Sequence, residues 1–281
     1  MKVTSIGQLQ YTRVISSLEY ILITNEVQLA LEAQESNIHR IMIDLEIIGK
    51  EQRQGHLDTV ISRHNIKDVS KLCKIIDKSK IMVRVNPIHN QSSEEINAVI
   101  DAGADIIMLP MFTSCSEVEQ FVKHVDNRAK VNLLLETPQA LARVDEIIKY
   151  AEIDEIHVGL NDLHLGLGLK FMFELLSGGL VEYLANKIRP TKTKFGFGGI
   201  AQLGLGKLDS SLILSEHHRL GSEMVILSRE FTSKREDIRF GSEIEKINAY
   251  LIHLKSLSKE QLLSNKDLLV KKVNEIIVLH S

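Results

Sequence analysis

An eightfold alternation of short apolar runs with amphipathic helical patterns constrains this chain more than any other feature. The runs are rich in Ile, Val, Leu and Met and do not alternate with polar residues. They lie at residues 20–24, 41–45, 81–85, 106–110, 131–135, 156–159, 194–197 and 224–227. Strands that are buried on both faces have this pattern, and both faces of a parallel sheet are usually buried.

Eight strand–helix units over about 240 residues predict an α/β fold of the (β/α)8 type, a TIM barrel. A doubly wound sheet is the competing fold. We favour the barrel because the count is eight and because no Pro/Gly-rich linker divides the chain. We therefore expect a single barrel domain over residues 1–281, with residues 241–281 forming a C-terminal helical extension.

The extension holds more helix than one barrel unit needs. Ser258 and Gln261 have the spacing of a capping box, which predicts the start of a second tail helix. An apolar stripe follows, which indicates packing against another subunit in a homo-oligomer or, equally, against the chain's own barrel. The stripe contains Leu262, Leu263, Leu268, Leu269, Val273, Ile276 and Ile277.

Composition excludes several classes of protein. The chain has 281 residues, of which 44% are hydrophobic and 25% charged, so it is neither disordered nor fibrous. A net charge of −3 gives no basic surface for nucleic acid. We expect no membrane span, because every apolar run is interrupted early by charge. Two cysteines and no apolar leader at the N-terminus are typical of a cytoplasmic protein.

Charged side chains occur where the apolar runs end. The carboxyl ends of barrel strands meet at one face, where active sites are built. Each residue alone is explained by a helix cap or a rim salt bridge, but four carboxylates and one arginine at one barrel mouth indicate a function. Their oxygens suit Mg²⁺ or Mn²⁺, and a metal beside an arginine stabilises an enolate. The residues are Asp44, Glu46, Arg84, Glu136, Asn161 and Asp162.

Two further segments have weaker signals. The glycines at 196–206 predict a tight loop after the seventh strand, and phosphate binding there is the alternative. His217 and His218 lie in a helical pattern before the eighth strand, where we expect surface or interface residues.

Five motifs, in order, resemble the HpcH/HpaI aldolase and citrate lyase β-subunit family, whose members are TIM barrels acting on pyruvate-like enolates. The resemblance covers about residues 20–170. The motifs are Ile-Asp-Leu-Glu at 43–46, Val-Arg-Val-Asn-Pro at 83–87, Ala-Gly-Ala-Asp-Ile-Ile-Met-Leu-Pro at 102–110, Leu-Leu-Glu-Thr-Pro at 134–138 and Gly-Leu-Asn-Asp-Leu at 159–163.

The resemblance implies a role for each residue at the strand ends. Glu136 and Asp162 would bind the divalent metal, and Arg84 would hold the carbonyl or enolate oxygen of a 2-oxo acid. Backbone N–H groups around Asn161 and Asp162 would receive the substrate carboxylate. Asp44 and Glu46 would organise water and the arginine. The implied reaction is the making or breaking of a carbon–carbon bond between a 2-oxo acid and an aldehyde.

One departure from the family leaves the general base open. The aldolase branch has a histidine directly after the acidic strand end, whereas Ile47 stands there in this chain. The nearest histidines are His56 and His64, and His56 is a candidate base because it lies in the long loop after the second strand. Two other functions stay open: an acyl-CoA lyase of the citrate lyase type, and a non-catalytic barrel that binds a small acid.

Overall fold

The computed structural model describes residues 18–50, 64–232 and 240–279. Within them, eight parallel strands close into a barrel in sequence order, and β1 pairs with β8 to complete the ring. The strands are β1 Glu19–Ile23, β2 Arg40–Asp44, β3 Lys80–Arg84, β4 Ile106–Leu109, β5 Lys130–Leu135, β6 Glu155–Val158, β7 Lys194–Ile200 and β8 Met224–Leu227. The predicted (β/α)8 barrel is confirmed, and the doubly wound sheet is wrong.

Helices follow the strands and cover the outside of the barrel. Three short helices, α7 to α9, occupy the connection after β6. The helices are α1 Val27–Glu35, α2 Ile66–Cys73, α3 Ser92–Asp101, α4 Cys115–Val125, α5 Pro138–Ala142, α6 Val144–Ile147, α7 Leu160–Gly166, α8 Glu174–Ser177, α9 Leu180–Ile188, α10 Ser210–Leu220, α11 Arg229–Thr232, α12 Phe240–Ser256 and α13 Lys259–Leu279. None of the helices in the described ranges has the length and apolar character that crossing a membrane requires.

The seventh strand is longer than its apolar run predicts. β7 continues to Ile200 and takes in Gly196, Gly198 and Gly199, so the predicted loop begins later than expected, and its turns contain Gly204 and Gly206 with φ values of 75° and 95°. The glycines within β7 serve packing: a Cβ on Gly196 would lie 2.1 Å from Cγ of Met224 on β8. Because β7 must approach its neighbour this closely, larger side chains are excluded from the position.

His217 is buried, which corrects its predicted place at the surface. It is 1% exposed on α10, and its ring stacks on that of Phe197 with 3.8 Å between centroids. Its Nδ1 lies 2.8 Å from the Ser222 hydroxyl. Burial lowers the pKa of His217 well below the usual value, so the ring is neutral. His218, its neighbour, is half-buried.

Alternation along the strands divides the barrel interior into layers. A middle layer of apolar side chains, mostly methionine and leucine or isoleucine, fills the barrel and forms a cluster separate from the larger core beneath the helices. On β2, Arg40 lies below Met42 and Asp44 lies above it, because residues two apart point to the same face. Charged side chains are thereby confined to the two ends of the barrel.

At the amino-terminal end, Arg40 joins strands on opposite sides of the barrel. Its guanidinium donates to Glu155 on β6 at 2.8 Å and to Glu19 on β1 at 2.9 Å. Lys194 on β7 donates to the other oxygen of Glu19 at 2.6 Å, and the amide of Asn132 donates to Glu155 at 2.9 Å. Each buried charge in this network therefore has an opposite charge in contact with it.

The tail helices pack on the barrel of their own chain. The capping box at the start of α13 is confirmed: the Ser258 backbone N–H donates to the Gln261 side chain at 2.8 Å. The buried stripe residues Leu262, Leu269 and Val273 face α8 and α10. Leu263 and Leu268, from the same predicted stripe, stay about half exposed.

Replacing Arg40 with methionine should destabilise the fold strongly, because Glu155 would be left charged and unpaired in the barrel. The expected loss is about 3–5 kcal/mol in the free energy of unfolding measured with urea. Lys78→Met is the matched control, since Lys78 and its partner Glu35 are 57% and 61% exposed. Similar urea midpoints for the two variants would contradict the role assigned to Arg40.

The tail should be held less firmly at low pH through Glu182 on α9. Hydrogen bonds from Arg219 on α10 and Lys266 on α13 lower the pKa of Glu182 to about 2, against the effect of burial. This stabilisation is complete above the unfolded pKa of about 4.3 and disappears as pH falls toward 2. Glu182→Gln should cost about 1 kcal/mol at pH 6 and much less at pH 3 in urea unfolding. An equal cost at both pH values would show that the carboxylate charge is not involved.

Candidate functional site

The polar ends of β2 and β3 lie side by side at the carboxyl-terminal end of the barrel, called the mouth below. Asp44 and Arg84 are partners in the strand register. The guanidinium donates from Nε to Asp44 Oδ1 at 2.9 Å and from Nη2 to Oδ2 at 2.8 Å. This two-point pairing fixes the plane of the guanidinium, which a lysine cannot reproduce.

The Asp44 carboxylate accepts hydrogen bonds from several groups. In addition to Arg84, it accepts from the ammonium of Lys50 at 2.6 Å and from the backbone N–H of Glu46 at 3.2 Å. Burial alone would raise the pKa of Asp44, but the two cations outweigh burial and hold the pKa far below its usual range. Asp44 therefore stays ionised and orients the cations. It does not exchange protons near neutral pH.

Arg84 keeps hydrogen-bonding capacity toward the mouth. A guanidinium has five N–H groups. Two are used by Asp44, and a third, on Nη1, faces Glu46 Oε2 at 3.3 Å. Burial would lower the pKa of Arg84, but the surrounding carboxylates raise it, so the charge is permanent. Its side chain is 15% exposed, so the residue is not sealed from solvent.

Glu136, at the end of β5, is buried and short of partners. It is 3% exposed and accepts a hydrogen bond from the Met111 backbone N–H at 3.1 Å. Met111 has a φ of 53°, a left-handed conformation that is uncommon for residues other than glycine. Burial, followed by the negative charge of Asp162, raises the pKa of Glu136 well above its usual value. A cation placed between these carboxylates would relieve that cost.

Gly159, which follows β6, leaves the space that Glu136 occupies. A Cβ at this position would lie 2.7 Å from Glu136 Oε2 and 2.8 Å from its Cβ. No side chain other than hydrogen fits there unless Glu136 moves. The glycine of the Gly-Leu-Asn-Asp-Leu motif is therefore required by the carboxylate on the neighbouring strand.

Neither Glu136 nor Asp162 is the N-cap of the helix beside it. The cap of α5 is Thr137, whose hydroxyl accepts from the Ala140 N–H at 3.0 Å, so Glu136 is not needed there. The cap position of α7 is Gly159, and no side-chain hydrogen bond caps that helix. Asn161 and Asp162 instead lie within its first turn, half-buried.

The residues at the mouth fit a divalent cation. Asp44, Glu46, Glu136 and Asp162 supply four carboxyl groups, and Arg84 and Lys50 are cations beside Asp44. Magnesium often takes only one or two protein carboxylates, with water and substrate completing its shell. Glu136 and Asp162 would hold such an ion. Across the described ranges, no three side chains of His, Cys, Asp or Glu form a cluster that could hold a metal ion.

Of the two candidate histidines that follow the second strand, only His64 is among the described residues. His56 lies outside the described residues, so its predicted role as a base stays a prediction. His64 lies against β2, and its Nδ1 accepts from the Asp44 backbone N–H at 3.0 Å. Burial is the main cause that lowers the pKa of His64. The ring is therefore neutral near pH 7, and one of its nitrogens is already engaged by the strand end.

Sequence reasoning gave no role to two residues of the site. Lys50 is 4% exposed and bound to Asp44. Asn86, two residues after Arg84, accepts from the backbone N–H groups of Ile47 and Ile48 at 2.9 Å each. Asn86 carries a signal, because a polar residue directly after a buried strand is itself unusual. Lys50 carries none, since an isolated lysine in a polar segment is normally exposed.

Comparisons with known proteins agree with the motifs. The model of the family described as HpcH/HpaI aldolase/citrate lyase matches residues 24–177. No curated protein sequence matches the chain significantly.

Solved structures share the fold at low sequence identity. An HpcH/HpaI aldolase from Desulfitobacterium hafniense DCB-2 has 12% identity and a TM-score of 0.61, covering 86% of this chain and 95% of its own. The citrate synthase SbnG has 15% identity and a TM-score of 0.60, with 83% and 95% covered. A citrate lyase from Burkholderia xenovorans LB400 has 13% identity and a TM-score of 0.59, with 94% and 85% covered.

Neutralising either proposed metal ligand should weaken cation binding and leave the fold intact. Glu136→Gln and Asp162→Asn each remove one of two carboxylates, so calorimetric titration with Mn²⁺ should show affinity at least ten-fold weaker, within the range seen when metal-site groups are changed. Asp145→Asn, at a position that is 62% exposed, should bind like the wild type. Unchanged affinity in both site variants would remove the pair as ligands.

Proposed function

The chain belongs to the HpcH/HpaI aldolase/citrate lyase family, and from that membership we propose a specific reaction for it. It is a divalent-metal-dependent lyase or aldolase that makes or breaks a carbon–carbon bond through a pyruvate-like enolate. Its substrates are a small 2-oxo acid and an aldehyde. The family supports carbon–carbon lyase chemistry in general, and the 2-oxo acid, the aldehyde and the metal dependence are our proposal.

The pairing of Arg84 with Asp44 carries this proposal. Carbon–carbon cleavage next to a carbonyl group builds negative charge on the carbonyl oxygen, and a preorganised donor stabilises that charge most effectively. Asp44 and Glu46 hold the guanidinium without using all of its N–H groups. The remaining N–H groups bind the carbonyl oxygen of the 2-oxo acid and stabilise it as it becomes an enolate.

Glu136 and Asp162 would hold Mg²⁺ or Mn²⁺, which would polarise the carbonyl group of the substrate. Backbone N–H groups around Asn161 and Asp162 bind the substrate carboxylate. The Met111 N–H and the space left by Gly159 keep Glu136 in its place.

The proton of the aldehyde-derived hydroxyl needs a base. Asp44 is unsuitable because its two cations hold its pKa far below the usual range, which makes the carboxylate too weak a base. We propose that Glu46 orients a water molecule for this step, or that His56 acts from the loop after β2.

An acyl-CoA lyase of the citrate lyase type is the second candidate. Ile47 favours it, because this residue follows the acidic strand end where the aldolase branch has histidine. Citrate lyase relatives have an acidic pair at that strand, as Asp44 and Glu46 form here. Cleavage that depends on CoA, with no pyruvate exchange, would identify this candidate. Binding of a 2-oxo acid with neither activity would instead identify a non-catalytic barrel.

The proposal also places the enzyme in the cytoplasm as a homo-oligomer. Cys73 and Cys115 are unpaired thiols, as is usual in a reducing compartment. The outward face of α13 leaves large apolar side chains in water, and a second copy of the chain would cover them. They include Leu263, Leu268, Val278 and Leu279, which are 49%, 45%, 74% and 81% exposed.

Arg84→Lys should abolish most enolate formation while the fold survives. Lysine keeps one positive charge but cannot fork onto Asp44 and the substrate together, so the rate should fall about a hundred- to a thousand-fold. The assay is exchange of the pyruvate C3 protons with deuterated solvent in the presence of Mg²⁺, followed by NMR. It needs no aldehyde and so isolates the enolate step.

Arg143→Lys is the control, because Arg143 is exposed on the surface and should exchange pyruvate protons like the wild type. Equal exchange by Arg84→Lys would leave Arg84 as a structural ion-pair partner only. Absence of exchange in the wild-type protein would reject the pyruvate assignment and favour the acyl-CoA lyase.

A further inference from the structure

Two consecutive isoleucines that follow Glu46 are exposed to solvent. Ile47 and Ile48 follow Glu46 at the mouth and are 61% and 44% exposed. A single exposed aliphatic side chain needs no explanation. Two in succession, next to a residue that contacts Arg84, form a small apolar surface at the entrance to the site. We call this surface, Ile47 with Ile48, the apolar rim.

The backbone of the apolar rim is fixed by a buried amide. Asn86 is 9% exposed, and its side-chain oxygen accepts from the N–H groups of both isoleucines at 2.9 Å. Glu95 holds Asn86 in turn, accepting from its side-chain amide at 2.8 Å and from its backbone N–H at 3.2 Å. The isoleucines cannot turn into the core without breaking these buried hydrogen bonds.

Lys50 and Arg84 both have protein partners. The backbone N–H of Lys50 donates to the Ile47 carbonyl at 3.2 Å, and the Lys50 ammonium lies 2.6 Å from Asp44. Arg84 is held by Asp44 and Glu46, and its remaining N–H groups are assigned to the 2-oxo acid. Among the described residues, the rim itself therefore offers the second substrate an aliphatic surface.

We propose that the apolar rim selects the second substrate, so that the enzyme prefers an aldehyde with an alkyl or aryl group over a sugar-derived or carboxylated one. This inference rests on the proposed function and adds the substrate class to it. In the reaction, C3 of the pyruvate enolate forms a bond to the aldehyde carbon. The aldehyde oxygen takes up a proton, and the product is a 4-hydroxy-2-oxo acid with no change in overall oxidation state.

Three four-carbon aldehydes test the inference: butanal is apolar, erythrose is hydroxylated and succinic semialdehyde is anionic. Isoleucine δ1-methyl NMR spectra are recorded with Mg²⁺ and pyruvate present, and the rim signals are assigned from Ile47→Val and Ile48→Val. We expect butanal to shift both rim methyl signals. Erythrose and succinic semialdehyde should leave them unchanged. Ile252, which is 68% exposed on α12, is the internal control and should not respond.

Turnover gives the second readout. The kcat/KM for butanal should exceed that for the other two aldehydes at least ten-fold, and Ile47→Ser should lower it about ten-fold, as is usual for the loss of apolar contacts in a pocket. Pyruvate proton exchange should be the same in Ile47→Ser and the wild type, because the rim acts on the aldehyde alone.

Three results would overturn the inference: rim signals that do not respond to butanal, rim signals that respond equally to erythrose, or an oligomer that dissociates when Ile47 is changed. The last would show that a second copy of the chain covers the rim. The methyl shifts do not depend on catalysis, so a protein that binds butanal at the rim without exchanging pyruvate protons would reject the proposed reaction and keep the binding surface.

Discussion

Charged side chains inside a closed barrel must be paired, because buried apolar side chains fill the middle of the barrel. A buried ion without a partner costs several kcal/mol, so ionised groups occur only where opposite charges or solvent are within reach. The apolar layer around Met42 and Leu134 divides the interior. Charged side chains are therefore found at the two ends of the barrel, and the partners of these charges differ between the ends.

The amino-terminal end is balanced. Arg40 and Lys194 face Glu19 and Glu155, and each group has an opposite charge within hydrogen-bonding distance. Arg40 crosses the barrel from β2 to β6, so this network ties strands that share no hydrogen bonds of their own. The physical consequence of this network is stability.

At the carboxyl-terminal end, Asp44 is paired with Arg84 and Lys50, whereas burial and then the negative charge of Asp162 raise the pKa of Glu136. The chain accepts further local costs to keep this arrangement, among them the left-handed backbone at Met111 and the missing side chain at Gly159. These costs around Glu136 are the strongest physical reason for placing chemistry at the mouth.

The sequence by itself determined the architecture and the approximate membership of the site. Seven of the eight predicted strands agree with the structure within one residue, because a buried parallel strand must be a short, nearly continuous apolar run. β7 was underestimated, since glycine has no apolar side chain to mark a strand. Asp44, Arg84 and Glu136 were evident because charge is rare at the end of such a run.

Only the tertiary structure decided which partners these residues have. Strand register and closure placed Arg84 on Asp44, brought Lys50 to the same carboxylate and set Gly159 against Glu136. The same contacts excluded helix capping as the purpose of Glu136 and Asp162, and they gave Asn86 its role beneath Ile47. These facts depend on distances between residues far apart in the chain. A linear pattern records the kind of each residue and its spacing, whereas pairing in space follows from how the whole barrel closes.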